Sequence, residues 1–103
     1  MTIHDNAYGG VVVDGNSTAT LGNGMANIYS NGDVAIWVMN SSVVQAGSNN
    51  TINGAAVAVD IGHLSLVTFG RGNTVSGTVS CSGKYSVAGG LANLPDVTTT
   101  CSP

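Results

Sequence analysis

The chain has 103 residues, a net charge of −3 and only 7% charged side chains, with Lys84 and Arg71 as its two basic residues and five Asp as its acids. That length is one domain, and two scattered cations exclude both a basic footprint for nucleic acid and a polybasic membrane patch. No apolar run reaches the ~18 residues of a membrane-spanning helix, and MTIHDNAYGG shows no basic or apolar region of a signal peptide. Gly, Val, Ser, Thr and Asn take the place of helix formers, which predicts an all-β chain with many turns.

Residues 1–8 are expected to form a partial cap. From Val11 the chain then repeats every 23 residues without a gap. The three lines are VVVDGNSTATLGNGMANIYSNGD, VAIWVMNSSVVQAGSNNTINGAA from Val34, and VAVDIGHLSLVTFGRGNTVSGTV from Val57. Val11, Val34 and Val57 share a column, as do Val13, Ile36 and Val59. Further columns are Gly24, Gly47 and Gly70; Asn27, Asn50 and Asn73; and Tyr29, Ile52 and Val75. A repeat of this length, with short apolar runs and Gly-Asn turns, reads as coils of a parallel β-solenoid whose inward side chains stack into one core. Asn27, Asn50 and Asn73 are expected to form a hydrogen-bonded ladder that satisfies their amides in a turn. His4 falls one coil below Asn27 in the same column. Gly24, Gly47 and Gly70 supply left-handed backbone at that turn, and SNGD places another turn at Gly32 and Asp33.

Residues 1–79 are thus read as coils and residues 80–103 as a capping tail. The tail holds Cys81 and Cys101 without a cysteine or histidine cluster that would complete a metal site. A disulfide between them stabilises by roughly 3 kcal/mol in the chain-entropy model and implies an oxidising, extracytoplasmic compartment. The alternative is a pair of free thiols in a cytosolic protein.

The 23-residue coil, the asparagine column and the turns GSNNTING and GRGNTVSG resemble the right-handed parallel β-helix proteins of the pectate-lyase-like type. The resemblance covers about residues 9–79, and the tail resembles the irregular C-terminal end of secreted bacterial members. It implies a short right-handed parallel β-helix of three to four coils. It also implies a role in acting on or binding acidic polysaccharides, or in tailspikes and adhesins. Family members cleave with clustered acidic Ca²⁺ ligands and a basic residue, a set to which only Asp14, Asp60 and the distant Arg71 correspond. Fold alone does not give function.

With Val13, Ile36 and Val59 inward, period-two alternation turns the next column outward: Asp14, Trp37 and Asp60. Ala35 and Met39 flank Trp37 on the same face. In this register Asp14 and Asp60 lie roughly 9–10 Å apart at their backbones, two strand spacings, near the carboxyl spacing of inverting glycosidases. One reading is a sugar stacked on Trp37 between two carboxylates, with His63 as a further candidate. The preferred reading is a subunit interface centred on Trp37, Ala35 and Met39, because aromatics and Met are enriched at interface cores. His63 itself reads as a solvated coil corner. The expectation is a non-catalytic structural or interaction solenoid that self-associates through the Trp37 sheet or its open ends. It needs no cofactor, and the competing role is a polysaccharide-binding or polysaccharide-cleaving module.

Overall fold

The computed structural model of the chain describes residues 2–4, 6, 9–31 and 34–102. Ten strands follow in order: β1 Thr2–His4, β2 Gly9–Val13, β3 Thr18–Thr20, β4 Asn27–Asn31, β5 Val34–Val38, β6 Val43–Gln45, β7 Thr51–Ile61, β8 Leu66–Thr68, β9 Thr74–Cys81 and β10 Val87–Gly89. One 3₁₀ turn, Leu91–Asn93, follows β10. Every pairing between these strands is parallel. The chain is an all-β parallel β-solenoid with a repeat of about 23 residues.

The strands stack on three faces. The first holds β1, β4 and the opening halves of β7 and β9. The second holds β2, β5 and the closing halves of β7 and β9. The third holds β3, β6, β8 and β10. β7 and β9 run through the bend between the first two faces, where their ladder slips register between Asn53 and Val57 and again before Val59. The expected turn at Gly32 and Asp33 lies outside the described residues.

The core is built as columns. Ile28 stacks on Ile52, Ile36 on Val59, Val38 on Ile61, and Val44 on Val67, all of them buried. Each such side chain contributes about 1.5–3 kcal/mol by leaving water. The columns do not keep one spacing. Val13 pairs with Val38, Val38 with Ile61 and Ile61 with Cys81, so only the middle step has the 23-residue length. The first step is two residues longer. The turn at 22–26 holds one residue more than the corresponding turn at 47–50, and an irregularity in β4 between Ile28 and Asn31 takes up the second.

That extra length corrects the asparagine column. Asn27 is exposed and pairs with Thr51, so it is no part of a ladder. The column is Ala26, Asn50 and Asn73. The Asn50 Oδ1 accepts the amides of Met25 (3.0 Å) and Ala26 (2.9 Å), and its Nδ2 donates to the carbonyls of Gly22 and Ala46. The Asn50 amide donates in turn to Asn73 Oδ1 at 2.8 Å, and Asn73 Nδ2 reaches the carbonyls of Gly47 and Gly70. Both asparagines are buried. His4 is likewise outside the column: it pairs with Tyr29 and stacks on its ring at 5.0 Å between centroids. The glycine column also shifts, to Gly22, Gly47 and Gly70. A Cβ on Gly47, which has φ +71°, would overlap the Gly22 carbonyl.

A second polar column opens the third face. The Ser17 amide donates to Ser42 Oγ and the Ser42 amide to Ser65 Oγ, each at 3.2 Å, with Ser42 and Ser65 fully buried. At the last coil the tail closes the stack. The Val79 amide donates to the Thr98 carbonyl and the Thr100 amide to the Val79 carbonyl, so residues 98–100 lie parallel against β9. Cys81 and Cys101 lie at disulfide distance, with their Cα atoms 5.0 Å apart. Leu94 is buried over the end of the core, and Asn93 Nδ2 donates to the Phe69 carbonyl.

Candidate functional site

On the second face, strand alternation and the observed register place Val12, Trp37, Asp60 and Ser80 in one outward column. The ladder continues one residue beyond the strands. The Met39 amide donates to Val13, Gly62 to Val38 and Ser82 to Ile61. Asp14, Met39, Gly62 and Ser82 therefore share the next column. Trp37 is flanked by Val12 and Asp60, and Asp14 is not beside it. The two-residue lengthening of the first coil moved Asp14 along the strand without changing which way it points, because the side-chain period is two.

Asp14 and Asp60 are now separated by two strands and two positions along them, roughly 12 Å at the backbone. Their partners also differ. The Asp14 carboxylate is exposed and accepts Asn40 Nδ2 at 2.7 Å. Asp60 is half-buried and accepts the Ser82 hydroxyl. They do not form a facing carboxylate pair. His63 sits at an exposed corner, where its backbone carbonyl accepts the Ser41 amide and the Ser65 hydroxyl.

Trp37, Val38, Met39, Asp60, Gly62 and Ser82 line an open cleft of about 210 Å³. Gly62 lies between Met39 and Ser82 in their column, and a Cβ there would stand 3.2 Å from the Met39 Cβ and the Val38 carbonyl. Trp37 and Met39 are half-buried walls, and Asp60 sets one carboxylate at the side. The indole Nε1 of Trp37 is buried and, among the described residues, has no hydrogen-bond acceptor. An unpaired buried donor of this kind costs about 1–3 kcal/mol. Ala35 takes no part in the exposed face. It is fully buried in the core, as is Ala58 one coil on. Both lie beside the bend, where neighbouring backbones approach so closely that a Cβ on Gly77 would stand 2.9 Å from the Ala58 nitrogen. The short alanine side chains are covered there.

The cleft can hold a flat apolar group against Trp37 and present it with one hydrogen-bond acceptor. The buried serine column escaped the sequence reading, although its signal was present. The segments STAT, SVVQ, SLVT and SVAG, starting at Ser17, Ser42, Ser65 and Ser86, all enter strands of the third face. Their spacings are unequal, so a fixed period of 23 hides them. Comparison with known protein families, curated proteins and solved structures returned no match.

Proposed function

We propose that this chain is a non-catalytic structural or interaction solenoid that associates with copies of itself. The supporting observation is the difference between the ends of the stack. On the second face the last coil is covered by residues 98–100 against Val79 and by the Cys81–Cys101 pair, with a 3₁₀ turn following β10, which remains an edge strand of its sheet. At the first coil, β2 and β3 are edge strands of their sheets, and exposed edges are templates for another chain. A core only a few coils deep gains from burying such an end. Light scattering on the full chain should give a mass above the 10.2 kDa of one copy. A constant single-copy mass at every concentration would overturn the proposal. On this reading the chain is a short relative of the pectate-lyase-like β-helices and works in an oxidising extracytoplasmic compartment, which the cysteine pair supports.

The cleft favours a second reading, a polysaccharide-binding module. Here Trp37 is the stacking platform and Asp60 the polar contact, while Asp14 stands apart. Added oligosaccharide should shift the fluorescence of Trp37, the one tryptophan of the chain, and Trp37→Ala should lose the binding heat in calorimetry. Unchanged fluorescence at saturating sugar rules this reading out.

A further inference from the structure

The hydrogen-bonding direction of β2 follows from Val13, whose carbonyl accepts the Met39 amide at 2.9 Å. In a parallel pair, the amide and carbonyl of one residue face the same neighbour, and successive residues face opposite ways. Gly9, Val11 and Val13 thus serve β5. Gly10 and Val12 turn their amides and carbonyls toward the free edge of the sheet. Among the described residues that edge lacks two of the usual protections, since Gly9–Val13 and Thr18–Thr20 contain no charged residue and no proline. The Val12 side chain is 58% exposed.

We infer that β2 pairs antiparallel with β2 of a second copy across a twofold axis at Val11, making an end-to-end dimer. The inference rests on the self-association reading and names its surface. Gly10 of each copy faces Val12 of the other, and the two pairs exchange four backbone hydrogen bonds about the axis. The contact is isologous, so it closes on itself. Head-to-tail stacking through the second face is disfavoured because the far edge of β9 at Val79 is already paired with residues 98–100. The molecule measures 29 × 28 × 23 Å, so one end buries several hundred Å² per copy, the lower range of specific interfaces. The dimer should therefore dissociate on dilution.

Val12→Pro tests the geometry directly. It removes an amide that points to the free edge and serves no internal bond, and an edge strand tolerates proline. In sedimentation experiments on the full chain, Val12→Pro should weaken dimerisation at least tenfold, while Val12→Thr should dimerise like the unchanged protein. Hydrogen exchange gives a check that needs no variant. The Gly10 and Val12 amides should be protected at high protein concentration and exchange fast on dilution. If the chain oligomerises but Val12→Pro does not weaken it, or these two amides ignore concentration, the β2 pairing is wrong and self-association stands. If the unchanged chain is monomeric throughout, both fall.

Discussion

At the scale of single residues, two asparagines that look equivalent in the sequence have opposite weights. Asn50 serves two amides and two carbonyls of the adjoining turns, whereas Asn27 is exposed. Asn50→Ala takes the partner from two buried groups, the Ala26 amide and the Ala46 carbonyl, and each unsatisfied group costs about 1–3 kcal/mol. Urea unfolding should show Asn50→Ala destabilised by about 3 kcal/mol and Asn27→Ala changed by less than about 0.5 kcal/mol. Equal losses would contradict the Ala26–Asn50–Asn73 column. The identity of the ladder was legible in the sequence for Asn50 and Asn73, one true period apart. It failed at Asn27 because a one-residue difference in turn length is silent where Gly and Asn recur every few positions. Trp37 shows the converse. Its outward direction was legible because alternation survives a two-residue slip, but its neighbour was not, so Val12 stands where Asp14 was expected.

Among the elements, the strands of the second and third coils were the most legible. Val34 to Val38 and Val57 to Ile61 carry matching aliphatic positions at a constant spacing. The coils then shorten toward the tail, with the last step from Ile61 to Cys81 three residues below the repeat. A gap-free alignment cannot register that, because turns absorb length changes while inward columns stay aliphatic. The cysteines are the strongest element-level signal. They tie the end of β9 to the segment that caps it, across 20 positions. Reduction of the pair, or Cys101→Ser, should lower unfolding stability by about 3 kcal/mol. An unchanged denaturation midpoint on reduction would mean that the tail holds by its strand pairing and Leu94 alone.

For the molecule as a whole, composition and repeat made the architecture legible, and the site much less so. The solenoid follows from inward columns that any aliphatic set can satisfy. A site depends on which outward residues are neighbours across coils, and that is decided by turn lengths. The expected apolar patch lost Ala35 to the core, and the expected carboxylate pair came apart, leaving a cleft framed by Trp37, Met39, Asp60 and Ser82. What remains unbalanced is the stack itself, with a pinned cap at one end and edge strands without charge or proline at the other. Sedimentation equilibrium of the oxidised full chain across a wide concentration range tests that claim most directly. The expected result is a reversible shift from 10.2 kDa to twice that mass, with no larger species. A single-copy mass throughout, or growth into an open series of larger assemblies, would contradict it.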